Sequence, residues 1–483
     1  MFKPAARIVH RTDPGHWPSA DEAAASRLFS PVQIGPVALS TRTWIPAMVP
    51  WRATDDGFVN QNVIDWYARF ARGRPGAIVV EATGIRDVPS GPLLRIGDDR
   101  FIPGLTQLAK VVHEASEGET RLLIQLIDFL AIKRRPDRTV FLTRFLEITD
   151  QLRDATGQVT DAAVRSMLVG MNDDQLKIVL NTRDWESLSI GFRERVTDTD
   201  RPHIAALPQI LPSLFANAAA RAELAGFDGI ELHFAHAYTM ASFLSALNDR
   251  TDGYGGVREQ RIRLPLEVYE AVRARVQPKT AVGCRFLAEE CVLGGSTIED
   301  TAWFGAEFAL AGMDFLSLSR GGKFEDAMQP RLGEAAYPYT GPSGYECMPQ
   351  FISDEKGPFG RNLTAARSIR QSVRAAGRET PVVVAGGVHG YAMAEAMLAR
   401  GEADIVGAAR QSLADPDWFL KARTGHGETI RVCEFSNYCE GLDQKHKQVT
   451  CKLWDRTNTK GLTTGLASDG KRRLTAPDWR VPA

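Results

Sequence analysis

Three polar side chains crowd the run GFDGIELHFAHAYTMASFLSALNDRTDGYGG, Gly226 to Gly256: His233, His236 and Tyr238. Two imidazoles can donate to one substrate oxygen. A phenol, with an ordinary pKa of about 10, can release a proton without being ionised at neutral pH. Such a set suits an oxygen that gains negative charge next to a carbon that needs a proton. The HxxH spacing alone also fits two core histidines or a metal pair. No Glu follows His233, so the run is not the HExxH metalloprotease motif. A second run, VVVAGGVHGYAMAEAMLARGEADIVGAARQSLADPDW, closes two short apolar stretches with small residues: Ala385–Gly386–Gly387, then Gly407–Ala408–Ala409–Arg410. Glycines let backbone N–H groups approach a phosphate, and an arginine adds a forked donor. Two tight turns without a ligand are the competing reading. A third run, RVCEFSNYCEGLDQKHKQVTCKLWDR, carries Cys433, Cys439 and Cys451. Cys284, Cys291 and Cys347 show no ligand spacing and read as packing residues.

The elements around these groups follow an alternating pattern. Strand-like apolar runs occur at Thr43–Met48, Ala77–Glu81, Leu122–Leu126, Gly229–His233, Ala281–Arg285, Phe315–Leu318, Pro381–Ala385 and Asp404–Gly407. Most are continuously apolar, as parallel strands buried on both faces are. Helical patterns such as Leu214–Ala225 and Tyr391–Arg400 stand between them. Eight such units predict a closed (β/α)8 TIM barrel, with a doubly wound open sheet as the competitor. In a barrel, His233 to Tyr238 fall just past a strand's C-terminal end, where barrel enzymes keep catalytic groups. About a hundred residues separate Leu126 from Gly229, where one helix and short loops need far fewer. The excess, about residues 131–203, begins with the basic KRRPDR and continues as amphipathic helical stretches, DAAVRSMLVGM and DDQLKIVL. It reads as an insertion at the C-terminal face, either a substrate lid or a peripheral ornament or oligomer contact.

Composition sets outer limits. Of the 483 residues, 44% are apolar and 24% charged, and the formal net charge is −1. No global field draws the chain to nucleic acid or to an acidic membrane. No apolar run reaches the roughly 18 residues of a membrane span. The opening MFKPAARIVHRTDPGHW lacks the apolar core and small-residue cleavage site of a signal peptide. Six cysteines are too few for a disulfide scaffold, so a cytoplasmic compartment is expected.

The motifs together resemble the old yellow enzyme, or NADH:flavin oxidoreductase, family. Its barrels carry H-x-A/S-H/N-G-Y-L and then N-x-R-x-D-x-Y-G-G. The matching residues are His233, His236, Tyr238, Asn248, Arg250, Asp252, Tyr254, Gly255 and Gly256, with Ala237 and Val257 as departures. LFSPVQIG from Leu28 resembles the family's opening. IPAMV, Ile45 to Val49, resembles its flavin-binding strand end, with Val49 where Thr or Cys usually stands. EATG, Glu81 to Gly84, resembles its E-A-S/T run. Gln125 matches a glutamine that bonds the flavin pyrimidine, and Arg285 an arginine over the flavin N1–O2 edge. The family's Q-L-x-H-x-G-R continues here as QLIDFLA, so Asp128 replaces a His and the substrate contacts on that side are in doubt. The glycine-rich run resembles the phosphate segment ADxVxxxRxxLADP, with Ala409 in place of Gly. The cysteines resemble the iron–sulfur signature of the long dienoyl-CoA reductase and trimethylamine dehydrogenase type, with Ser436 in the second thiolate position. A serine oxygen is a poor ligand for such a cluster. Of a loop of free thiols, a cluster with an unusual fourth ligand, and a zinc site completed by His446, the free-thiol loop is the reading adopted, with no metal assigned.

The resemblance implies a barrel at residues 28–420, an N-terminal extension at 1–27 and a C-terminal extension at 421–483. It implies FMN, its phosphate held by Gly386, Gly387, Gly407, Ala409 and Arg410 and its ring bordered by Pro46, Ala47, Met48, Ala82, Gln125 and Arg285. NADH or NADPH would be the reductant, and a small-molecule alkene activated by a carbonyl the substrate. His233 and His236 would hold its oxygen and Tyr238 would protonate its α-carbon. Lys133, Arg134, Arg135 and Arg138 offer a handle for an acidic group such as the phosphates of an acyl-CoA; a solvated loop is the simpler reading. A homo-oligomer is left open. The alternatives are an FMN-dependent amine dehydrogenase or demethylase, whose relatives usually carry Tyr where His233 stands, and a non-catalytic flavoprotein subunit.

Overall fold

A computed structural model describes residues 10–88, 91–347, 357–456 and 465–482; the side chain of Cys347 lies outside what is described. The chain opens with a short antiparallel hairpin, β1 (Val32–Ile34) and β2 (Val37–Leu39). Eight parallel strands follow: β3 (Thr43–Ile45), β4 (Ala77–Gly84), β5 (Arg121–Ile127), β6 (Gly229–Phe234), β7 (Ala281–Leu287), β8 (Leu316–Ser319), β9 (Val382–Ala385) and β10 (Ile405–Gly407). They close into a barrel in that order, with β10 pairing back onto β3. This is the (β/α)8 fold, and each strand lies where an apolar run predicts one.

Side chains alternate along a strand, so one set enters the barrel and the other meets the helices. Outward residues such as Ile124, Leu232, Phe286, Leu318 and Val384 join the main apolar layer with helices Gln61–Ala71, Leu207–Leu224, Arg263–Arg275 and Leu363–Ala375. Inward residues Trp44, Val79, Leu123, Phe315 and Val383 form a separate cluster with Ile34, Val37 and Leu39 of the hairpin. The hairpin thus plugs one end of the barrel. Higher up, the inward positions turn polar: Gln125, Glu231, His233, Arg285, Ser317 and Ser319. That polar tier is the floor of the site.

The insertion is a small helical body with its own core. Phe141, Leu142, Leu152, Val164, Leu168 and Leu176 pack together, and most of its helices start on side-chain caps from Thr149, Thr160, Asn172 and Asn181. It docks on the loop after β8: Arg193 pairs with Glu325 at 3.1 Å, and Arg135 bonds the Pro330 carbonyl at 3.0 Å. Arg138 is tied to Asp173 at 2.9 Å. Of the basic run, Lys133 and Arg134 remain exposed. Past Trp418 the chain folds back over the barrel mouth. Arg52, buried against the Trp66 ring, donates to the Val449 carbonyl at 2.9 Å, and Val449 N–H donates to Pro50 O at 3.0 Å. Among the described residues no helix is long and apolar enough to cross a membrane.

Candidate active site

A cavity of about 240 Å³ opens at the C-terminal ends of the strands, bordered by His233, His236, Tyr238, Gln125, Arg285 and Ser319. His233 takes an inward position on β6. His236 follows on a turn whose backbone is left-handed, φ +62°; such a conformation is uncommon outside glycine and brings the second ring back beside the first. The ring centroids lie 5.3 Å apart. Their hydrogen bonds decide which nitrogen carries the proton. Arg285 Nη2 lies 3.4 Å from Ser319 Oγ, and Ser319 Oγ 2.8 Å from His236 Nε2. A guanidinium only donates, so the serine accepts from it, and its own proton can go to Nε2; the hydroxyl oxygen can equally accept an Nε2–H. With the serine as donor, the His236 proton lies on Nδ1, which is buried and has no partner in the protein. For His233, the Ala235 N–H donates to Nδ1 at 3.4 Å, which leaves the proton on Nε2. Each ring is held neutral. Burial and then the charge of Arg285 lower His233 to about 3 and hold His236 well below the usual histidine range. The site therefore offers two neutral N–H donors.

Tyr238 stands edge-on to His233 at 5.5 Å and to Phe129 at 5.3 Å. Beside it, Asp128 explains the loss of the family's histidine at the end of β5. Its carboxylate is buried, takes the Arg86 Nε and Nη2 donors at 2.6 and 2.9 Å, and accepts the Thr239 hydroxyl at 2.7 Å. Burial raises this carboxyl, while Arg86 and Thr239 oppose the rise. Asp128 thus joins the ends of β4, β5 and β6. Behind Tyr238, residues 193–197 at the end of the insertion line a side pocket of about 80 Å³ together with Phe129 and Lys323.

A second recess, about 90 Å³, adjoins the cavity and shares Ala47, Arg285, Ser319, Ala409 and Arg410 with it. Pro46, Gly386 and Gly387 complete its predicted lining. Met48, Ala82 and Gln125 border the larger cavity instead. Gly387 has φ +72°, and a Cβ there would lie 1.8 Å from the Pro358 carbonyl oxygen, so only glycine keeps this backbone. Gly407 is not brought to the recess: it is an inward strand residue pressed against Ala385, and the lining passes to Ala408 and Ala409. Gln125 Nε2 donates to Glu231 Oε1 at 2.6 Å, which leaves the amide oxygen available.

The model of the NADH:flavin oxidoreductase / NADH oxidase family matches residues 209–428. Over that stretch the chain is similar to that family. It is 29% identical to the NADH oxidase of Thermoanaerobacter brockii over 84% of this chain and 52% of the relative. It is 26% identical to the N,N-dimethylglycine/sarcosine dehydrogenase of Chromohalobacter salexigens over 93% of this chain and 56% of that one. Among solved structures, 2-naphthoyl-CoA reductase superposes with a TM-score of 0.63 at 18% identity, over 88% of this chain and 56% of the other. The chain spans about half the length of the curated relatives it matches.

The structure also brings to the cavity residues that carry no motif in the sequence. Tyr337 and Tyr339, from the loop after β8, and Asn437, Glu440 and Asp443, from the C-terminal extension, border the cavity. The only signals were a Y-x-Y pair and two carboxylates three apart on a short helix, both common on surfaces. Cys433, Cys439 and Cys451 do converge, with Ser436, around a small void beside Arg410. All are free thiols, and burial pushes Cys439 and Cys451 up to about 12. His446 is not among them; its ring stacks on Trp51 at 4.1 Å. Among the described residues no group of three or more His, Cys, Asp or Glu is placed to hold a metal.

Proposed function

We propose that this chain is an FMN-dependent oxidoreductase that reduces an activated C=C bond, in an enone, enoate or enoyl thioester, at the expense of NADH or NADPH. The observation that carries the reading is the pair of neutral imidazoles, each with one N–H, set beside Tyr238. The residues present fit FMN. Gly386 and Gly387, with Arg410, form a bare-backbone recess for a phosphate. The buried Nε of Arg285 has no partner in the protein, and Gln125 is held with its amide oxygen spare. Bound FMN would supply a two-electron carrier between the nicotinamide and the alkene.

The chain's own groups do the rest. His233 and His236 hold the substrate oxygen and stabilise the charge it gains, where one donor is worth about 2.7–4 kcal/mol. Both stay neutral because a positive imidazole beside Arg285 and in a buried site is disfavoured. Tyr238 holds the proton destined for the α-carbon, a contribution of about 10²–10⁴-fold. The test is reduction of 2-cyclohexenone with each nicotinamide. The double variant His233→Ala/His236→Ala should keep its yellow colour and lose the activity. A wild-type rate in that protein, or folded material that stays colourless when soaked in FMN, refutes the assignment.

A second reading is oxidation of a secondary or tertiary amine. The Trp51, Tyr337 and Tyr339 rings at one end of the cavity suit a cation, and the sarcosine dehydrogenase relative bears that activity in its name. Turnover of sarcosine with an artificial electron acceptor, and none of cyclohexenone, would favour it.

A further inference from the structure

The loop after β8 and the C-terminal extension meet inside the cavity with a hydrogen-bonded group between them. The Tyr337 hydroxyl donates to Asp443 Oδ2 at 2.5 Å. The Trp51 indole N–H donates to Asp443 Oδ1 at 2.6 Å. The carboxyl is thus held from two sides by residues almost three hundred positions apart in the sequence. Tyr337 stands edge-on to Tyr339 at 5.1 Å, and Tyr339 edge-on to His236 at 5.3 Å. Tyr238, Tyr337, Tyr339 and Asp443 all border the one void. Tyr238 also has a need that these groups can meet. A phenol that protonates a carbon is left as a phenolate, and this one is half-buried between Phe129 and His233. A substrate seated on the histidines would separate it from bulk water, and a charge left in such a place is costly.

We propose that Asp443 is a positioning residue that returns a proton to Tyr238 by way of the Tyr337 hydroxyl; this rests on the C=C reduction reading. In the step, the Tyr337 hydroxyl turns from Asp443 towards Tyr238, and its O–H bond breaks as the proton passes, directly or through one water, to the Tyr238 oxygen. The carboxyl O–H of Asp443 supplies the proton that restores Tyr337. The carboxylate that remains takes a proton from solvent at the cavity mouth. No electrons change hands.

The surroundings favour a carboxyl that takes up and releases its proton just below neutrality. Burial raises Asp443 to about 6, against the hydrogen bonds from Tyr337 and Trp51. Glu440, one turn earlier, is raised to about 8 by burial and then by Asp443, with Gln444 and Arg410 opposing. Two such neighbours share protons as a pair. Burial, then Asp443 and Glu440, hold Tyr337 well above its usual range, with Tyr339 and Tyr238 adding to the effect, so it stays a neutral carrier. Among the other groups facing the pair, His446 is lowered by burial and Arg134, and Cys439 is pushed up to about 12.

Two measurements on the holoprotein decide the matter. Infrared titration between pH 5 and 9 should show a protonated-carboxyl band that grows as pH falls through about 6 and is missing from the Asp443→Asn spectrum; the buried Glu81 cancels in that difference. No such difference overturns the proposal, whatever the substrate. Stopped-flow then compares the first turnover of pre-reduced protein on 2-cyclohexenone with the steady state. In Tyr337→Phe the ratio of later to first turnovers should fall five-fold or more at pH 8 and recover towards pH 6. An equal loss in both phases marks a merely structural role, and no loss removes the relay; either result overturns it. If the wild type reduces no enone, the C=C reading fails and the route to Tyr238 falls with it, while the infrared band still reports whether the carboxyl is protonated.

Discussion

Ser319→Ala tests how the two imidazoles are prepared. The hydroxyl contacts no predicted substrate atom. It accepts from Arg285 at 3.4 Å and lies 2.8 Å from His236 Nε2; donating there would hold the His236 proton on Nδ1. Without it, His236 can carry its proton on either nitrogen, and part of the population presents a lone pair to the substrate oxygen. An ordinary hydrogen bond is worth about 1 kcal/mol net, so kcat/KM should fall about five- to ten-fold. His236→Ala removes the donor itself and should cost about 10²–10³-fold. Ser319→Thr, which keeps a hydroxyl, should restore most of the loss. The assay is kcat/KM for 2-cyclohexenone, normalised to bound flavin, between pH 5.5 and 8. Burial and Arg285 keep both histidines neutral over that window, so the Ser319→Ala deficit should not change with pH. Activity equal to wild type, or a loss as deep as that of His236→Ala with flavin retained, would refute the tautomer argument.

Gly387→Ala should abolish flavin retention, because a Cβ there meets the Pro358 carbonyl at 1.8 Å; the ratio of visible to ultraviolet absorbance reports it, beside an unchanged far-ultraviolet dichroism spectrum. Glu290→Gln should lower stability by about 3–5 kcal/mol in denaturant titrations, because it strands the buried Lys323 ammonium now paired at 2.7 Å. Burial alone would raise the Glu290 carboxyl, but Lys323 and the Ser296 N–H outweigh it and hold the group at about 2. Its stabilisation is therefore present above the ordinary value of 4.5 and is lost as pH falls towards 2; an acid limb unchanged in Glu290→Gln would contradict this. Iron and acid-labile sulfide should be substoichiometric in purified protein, since Ser436 stands at the second thiolate position. A full cluster per chain would overturn the free-thiol reading.

By itself the sequence determined the barrel and the grouping of His233, His236 and Tyr238 at one strand end. Strands buried on both faces must be apolar throughout, so eight apolar runs announced eight strands, and the structure turns Gln125, His233 and Arg285 inward at one end. His233, His236 and Tyr238 were legible because they lie within six residues of one another on a single strand end. The role of Asp128 was not, because its partners Arg86 and Thr239 come from two other strand ends. Gly407 was misplaced for the converse reason: a glycine in a loop and a glycine at a crowded inward strand position look alike in one dimension. Only the tertiary structure decided that the loop after β8 and the C-terminal extension wall the cavity, and that Ser319 stands between Arg285 and His236. Those contacts join residues that share no periodic pattern, and hydrogen-bond geometry between distant segments exists only once the barrel has closed.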